Sequence, residues 1–311
     1  MLCTYNGNKY ILEQLDSLKK QTRKIDELIV CDDSSRDNTV SIINKWAQKN
    51  NVNVKVNVNK VSKGPAKNFE YGLSLTTGDY IMFCDQDDVW KPTKIERTLT
   101  KMKRIEAIYG GNTPCLVHTD LEVVDNNMKL IAKSFMRNQG LYHPNDDKEQ
   151  MLVLLAANFV TGCTVMINSK MRDIALPFPD EILMHDYWLA LLAASNGVLA
   201  FVDDSTIKYR QHGGNVVGAK KYFSVKSIKK IFKFNCLMNS IHKTITQDRV
   251  FLNYKMNRLK KPSEAKKFID SVDRRKIFNI IFTSVHKEGL LRNFLYHILL
   301  TIYVLKGRNA H

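Results

Sequence analysis

Phe83-Cys84-Asp85-Gln86-Asp87-Asp88-Val89-Trp90 packs three carboxylates into four residues, directly after the apolar run Tyr80-Ile81-Met82-Phe83-Cys84. That run reads as a buried strand. Like charges crowded at a strand end repel unless a cation or a cationic ligand neutralises them. Carboxylate oxygens suit Mg²⁺ or Mn²⁺, and a divalent ion held there could bind the diphosphate of a nucleotide. A solvated acidic turn is the plainer reading, since turns favour Asp. It accounts for one or two carboxylates more readily than for three.

Outward from this segment, the first two hundred residues alternate strand-like and helix-like patterns, as in an α/β domain. Leu28-Ile29-Val30-Cys31 is a short apolar run that ends in Asp32-Asp33, a second acidic strand terminus. Val52 to Val58 alternates Val with polar residues, as a half-exposed strand would. Tyr10 to Gln21 places Ile11, Leu12, Leu15 and Leu18 on one helical face, and Val40, Ile43, Trp46 and Ala47 do the same in a second helix. Pro92 suits the first turn of a third, with Ile95, Leu99 and Met102 on its buried side. Further strands are expected at Cys115–Thr119, Phe159–Ile167 and Leu199–Asp203, and a helix from about Asp186 to Ser195.

In open α/β sheets, ligands sit at the carboxyl ends of the strands. Three such ends carry polar clusters: Thr4-Tyr5-Asn6-Gly7, Asp32-Asp33-Ser34-Ser35 and Asp85-Gln86-Asp87-Asp88. Three on successive strands imply one shared site. In this order, with Asp32-Asp33-Ser34-Ser35-Arg36-Asp37-Asn38-Thr39 ahead of the Asp-x-Asp motif, they resemble glycosyltransferase family 2, which has a GT-A fold: a Rossmann-like mixed sheet flanked by helices. His185-Asp186-Tyr187-Trp188 and Tyr209-Arg210-Gln211-His212-Gly213-Gly214-Asn215 are similar to the bacterial rhamnosyltransferase-like branch that builds surface polysaccharides. The resemblance spans residues 1 to about 218.

The resemblance implies roles at the matching positions. Thr4, Tyr5, Asp33 and Asp32 would hold the nucleoside, Tyr5 by stacking, with Asn6 in the same segment. A turn and a helix cap explain Asp32-Asp33-Ser34-Ser35 as well, and both readings can hold at once. Asp85 and Asp87 would bind Mn²⁺ or Mg²⁺, Asp87 directly and Asp85 also touching sugar or ribose, with Asp88 left to cap the next helix. Asp186 matches the family's catalytic carboxylate, which deprotonates an acceptor hydroxyl; its plainer role is an N-cap. His185 would lie at or behind the acceptor site. His212 would touch metal or diphosphate, and Arg210 would neutralise phosphate charge. The donor implied is dTDP-L-rhamnose, with UDP-hexoses behind it, and the acceptor a saccharide or a lipid-linked saccharide. The pattern departs at the start, where Met1-Leu2-Cys3 offers less than the full first strand of the family.

Charge divides the chain unevenly. Residues 220–311 hold 21 Lys+Arg against 5 Asp+Glu, whereas residues 1–219 balance at 26 of each. A basic α-helical region is therefore expected from residue 219, after a catalytic domain over residues 1–218. Phe278, Ile281, Phe282 and Val285 recur at helical spacing, as do Leu291, Phe294, Leu295 and Ile298. Basic amphipathic helices lie well on anionic membranes, and a lipid-linked acceptor favours that reading over the plainer one, a helical subdomain packing its apolar stripe on the catalytic domain; subunit association is equally compatible. Binding of nucleic acid through the tail would leave the polar strand ends unexplained, and no recognisable nucleic-acid module appears. A catalytically dead sugar-nucleotide scaffold is a further alternative. Six cysteines without C-x-x-C spacing, mostly in apolar runs, fit a reducing cytoplasm. No signal-like segment precedes the first motif, and the apolar run Phe294 to Leu305 is too short to span a bilayer. The expected location is the cytoplasm, peripheral on the inner face of the plasma membrane.

Overall fold

The computed structural model describes residues 1–213, 234–254 and 263–306. The expected boundary near Gly218, residues Gly214 and Asn215, and the lysine pairs at 220–221, 229–230 and 260–261 lie outside the described residues. The chain opens with three parallel strands, β1 (Leu2–Thr4), β2 (Leu28–Asp32) and β3 (Val54–Val58), in that spatial order. Between them lie α1 (Ile11–Lys19) and α2 (Thr39–Asn50), and α3 (Pro65–Leu75) follows. In α1, Ile11, Leu15 and Leu18 are buried, while Leu12 falls one residue outside that arc and is half exposed. β3 has no buried residue, as its Val/polar alternation implies.

The second sheet is mixed. β4 (Tyr80–Met82), β5 (Val89–Trp90), β6 (Cys115–Val124), β7 (Leu130–Ala132), β8 (Met166–Asn168) and β9 (Val198–Arg210) assemble in the order β4-β8-β6-β9-β5, with β7 on the edge of β6. β6 and β9 run parallel, and the pairs β4–β8, β6–β8 and β5–β9 are antiparallel. A bridge from Leu2 to Cys84 and a bond from Cys3 N–H to Cys84 O (3.1 Å) join the two sheets. Short as it is, β1 is therefore the seam of the molecule, buried throughout and paired on both sides. That seam brings the carboxyl ends of β1, β2 and β4 side by side.

The strand expected over Phe159–Ile167 is shorter and later. Gly162–Thr164 forms a 3₁₀ turn and the strand proper is Met166–Asn168. Gly162 packs against a neighbouring helix so closely that a Cβ there would lie 2.6 Å from His185 Nε2. The apolar run thus serves a close approach rather than a ladder. The helix expected after Pro92 is the fourth, α4 (Lys94–Tyr109), and begins two residues after that proline.

Helices α5 (Phe135–Gln139), α6 (Asp147–Leu154), α7 (Ser169–Ala175) and α8 (His185–Asn196) complete this part. The run Tyr187-Trp188-Leu189-Ala190-Leu191-Leu192-Ala193 in α8 is buried all round, which marks a helix enclosed by the core. The described chain continues in α9 (Phe234–Asn253), which sets Phe251 against Trp188 of α8, and in α10 (Ser263–Asp273), α11 (Ile277–Ile281) and α12 (Leu290–Lys306). Ile241, Ile245, Phe251, Phe268, Tyr296 and Leu300 share one apolar core with α8. Among the described residues no helix is long and apolar enough to cross a membrane. All six cysteines are free thiols, and every one but Cys236 is buried.

Candidate active site

The structure gathers the three polar strand ends as the pattern implies, and it assigns their side chains different tasks. At the end of β1, Thr4 Oγ1 donates to Asp32 Oδ2 (2.7 Å), and Asp32 accepts further bonds from Ser35 N–H (2.8 Å) and Ser35 Oγ (2.6 Å). Thr4 and Asp32 are buried, so they shape the loop rather than face a nucleoside. Asp33 accepts two bonds on each oxygen, from Asn59 Nδ2 and Lys63 N–H on Oδ1 and from Ser62 Oγ and Gly64 N–H on Oδ2. Burial disfavours its charge, but these four donors outweigh that and hold its carboxyl below the usual range. A nucleoside N–H would have to displace one of them.

Tyr5 stays available. Its ring is 50% exposed while its backbone is pinned by Gln86, which accepts from Tyr5 N–H (2.8 Å) and donates to Tyr5 O (2.9 Å). Gln86 also explains Gly7, where a Cβ would stand 2.1 Å from Gln86 Oε1. Asn6 sits at φ 49° and accepts from Arg36 N–H through its side chain, closing the loop. The residue between the two aspartates of the Asp-x-Asp motif is thus the clasp between β1 and β4.

Asp85 lies close to the charges of Asp87 and Asp186. Burial first, then those two charges, pushes its carboxyl up to about 7. Asp87 Oδ2 meets His212 Nε2 at 2.7 Å, and the His212 ring rests on Tyr10 with centroids 4.9 Å apart. Asp88 does not cap α4, whose N-terminal position is Thr93 without a side-chain cap bond. It is fully buried, and its Oδ1 accepts from Arg210 N–H (3.2 Å). Asp85, Asp88 and Cys163 offer ligand atoms within 4.8 Å of one another. Burial raises the Cys163 thiol well above its usual range, so it stays protonated and is a poor ligand for a hard cation. Asp85 and Asp87 do fit one: both are carboxylates in a crowded, partly desolvated corner, and a divalent ion would relieve the repulsion that raises Asp85.

Arg210 is placed differently from the expected phosphate ligand. It is 2% exposed, with Nε donating to Asp87 O (3.0 Å), Nη1 to Asn126 O (2.9 Å) and Nη2 to Glu13 Oε2 (2.7 Å). Its guanidinium lies over the Tyr10 ring at 4.6 Å. It braces the motif loop from behind.

Asp186 lies in the first turn of α8, two residues after the N-terminal position Met184, so it is not the helix cap. Its Oδ1 accepts from Tyr187 N–H (2.6 Å), and Gly162 N–H and the Asn158 amide also donate to it. Burial outweighs these bonds and pushes its carboxyl up to about 6, a range useful to a general base. His185 is not on an acceptor surface. It is buried between Phe69 (3.9 Å) and Phe83 (5.2 Å), neither ring nitrogen has a hydrogen-bond partner among the described residues, and burial pushes it down to about 3. It is a neutral wedge under Asp186.

The chain as a whole is similar to known proteins. Residues 1–173 match the family model for glycosyl transferase family 2. The chain is 29% identical over 242 residues to the Shigella flexneri dTDP-rhamnosyl transferase RfbG, covering 72% of this chain and 76% of that protein. It is 26% identical over 245 residues to the Escherichia coli UDP-Glc:alpha-D-GlcNAc-diphosphoundecaprenol beta-1,3-glucosyltransferase WfaP, covering 78% and 85%. Its fold is similar to S. aureus TarS 1-349 in complex with UDP, with a TM-score of 0.51, 19% identity and coverage of 98% and 87%. It is also similar to the mannosyltransferase PcManGT from Pyrobaculum calidifontis with GDP-Man and Mn²⁺, with a TM-score of 0.50, 14% identity and coverage of 98% and 85%. The fold is GT-A, and the chain belongs to glycosyl transferase family 2, as a glycosyltransferase.

Proposed function

We propose that this glycosyltransferase is an inverting, metal-dependent enzyme moving L-rhamnose from dTDP-L-rhamnose, or a hexose from a UDP-sugar, to a saccharide or lipid-linked saccharide in the synthesis of a bacterial surface polysaccharide. One observation carries the reading: Asp85 is buried beside Asp87 and Asp186, and burial, with those two charges, raises its carboxyl to about 7. The donor classes follow the activities of RfbG and WfaP, and WfaP's diphosphoundecaprenol acceptor supports a lipid carrier. Residues 1–218 would carry the chemistry. Residues 219–311 would hold it at the cytoplasmic face of the plasma membrane.

Asp186 takes the proton from the acceptor hydroxyl as that oxygen attacks the anomeric carbon. The bond from that carbon to the diphosphate oxygen breaks on the opposite side, the nucleoside diphosphate leaves with the electron pair, and the proton stays on Asp186. Tyr5 offers a face to the base, with Asn6 holding its loop. Asp85 and Asp87 would hold Mn²⁺ or Mg²⁺, with His212 orienting Asp87 or sharing the ion. When bound, the cation supplies positive charge against the diphosphate.

Thermal shift across a panel of nucleotide sugars, with and without Mn²⁺, tests this, since a ligand bound to the folded state raises its stability by mass action. Stabilisation by dTDP-L-rhamnose or a UDP-hexose that depends on Mn²⁺ is expected. Stabilisation by none of them, or equally without the ion, overturns the metal-dependent reading. Binding without release of free sugar or transfer identifies a scaffold instead.

A further inference from the structure

α12 is apolar on two sides, and the core uses only one. Tyr296, Leu300 and Val304, at four-residue spacing, are buried against the other helices. Leu291, Phe294, Leu295 and Ile298 follow the same spacing on another side and are exposed. α11 packs against α12 and repeats the pattern: Ile280 is buried while Phe278 and Phe282, with ring centroids 4.8 Å apart, point outward. Leu290, Leu291, Phe278, Phe282 and Phe294 are each between 63% and 94% exposed. Folded monomers rarely leave large apolar groups uncovered in such a series. Arg292 Nη1 donates to Gly140 O (3.3 Å), a contact between the start of α12 and the catalytic part.

The charge around it selects the occupant. Arg274, Arg275 and Lys276, which lead directly into α11, are exposed cations, whereas Lys287 lies over Tyr296, Arg292 reaches Gly140 and Lys306 lies over Phe234; the one carboxyl from Arg274 to Lys306, Glu288, is buried. A second copy would bring two such cationic segments together. An anionic bilayer opposes them with negative headgroups and takes Phe and Leu side chains below, each cation contributing about 1 kcal/mol near the surface.

We propose that the outward face of α11 and α12 is a bilayer-docking surface for anionic phospholipid, with Phe278, Phe282, Leu291 and Phe294 as the inserted side chains. This deepens the proposed membrane location, and lipid alone is the probe, so a failure here leaves the transferase reading standing. The test is flotation of the full chain with unilamellar vesicles of phosphatidylglycerol and phosphatidylcholine, against phosphatidylcholine alone. Wild type should float with the anionic vesicles, and Phe278→Ser/Phe282→Ser or Leu291→Ser/Phe294→Ser should partition about tenfold more weakly or less still. Trp46, Trp90 and Trp188 are all buried, so Phe294→Trp adds a reporter whose emission should shift to the blue on anionic vesicles. No flotation on anionic vesicles, equal flotation of the serine variants, or an unshifted reporter overturns the proposal. A wild-type dimer in sedimentation that the serine variants abolish, without vesicle binding, assigns the face to a second copy.

Discussion

Replacing Arg210 with lysine separates a brace from a phosphate ligand, because it keeps the charge and removes the planar fork. In the structure Nε, Nη1 and Nη2 reach Asp87 O, Asn126 O and Glu13 Oε2 at 3.0, 2.9 and 2.7 Å. A lysine ammonium on its single stem can meet one of these acceptors. Two bonds from a charged donor are then lost, at about 1.5 kcal/mol each, for a destabilisation of about 3 kcal/mol. In a chain of this size 1 kcal/mol moves the melting temperature by about 2 °C, so a fall of about 6 °C is expected. Thermal unfolding followed by circular dichroism measures it, with nucleotide titration by calorimetry run on the same samples. A phosphate ligand would behave in the opposite way. An unchanged melting temperature together with lost nucleotide affinity refutes the brace.

Two further perturbations probe the base. Gly162→Ala sets a Cβ 2.6 Å from His185 Nε2, and Phe69 and Phe83 leave that ring no room, so the start of α8 must shift. Turnover should fall about 100-fold through misplacement of Asp186, with an overpacking cost of about 1–3 kcal/mol and nucleotide affinity retained; a wild-type turnover number contradicts the geometry. The pH profile follows from the raised Asp186 carboxyl. A base works deprotonated, so with cation and donor saturating, kcat should fall as pH drops below about 6. That acidic limb should vanish from the residual rate of Asp186→Asn; a limb that persists there belongs to another group.

Much of this architecture is legible before any coordinates. Apolar runs of strand length ending in polar clusters locate β1, β2 and β4, because burial enforces the run and the ligand side ends it. Long-range pairing is not legible. Nothing near Arg210 in the chain says that Glu13, Asn126 and the Asp87 carbonyl surround it, and the motif it belongs to implies a phosphate role instead. The role of Gln86 is not read from the sequence either, although an amide there is the one side chain in the motif able to pair with a backbone N–H and C=O together. The run Phe159–Ile167 looked like a strand because its apolar content is that of a core segment, and Gly162 within it was the signal of a close approach. In the tail, periodicity marks α12 as apolar without saying which side the core covers.

In the proposed mechanism the labour is divided: Asp87 serves donor binding and Asp186 serves the transfer step. That division is tested most directly by measuring Mn²⁺-dependent nucleotide affinity and sugar transfer side by side in Asp87→Ala and Asp186→Ala. Both should lose turnover, Asp186→Ala by about 10²–10⁴-fold, and only Asp87→Ala should lose the affinity that Mn²⁺ confers. Transfer by Asp186→Ala at the wild-type rate contradicts the account.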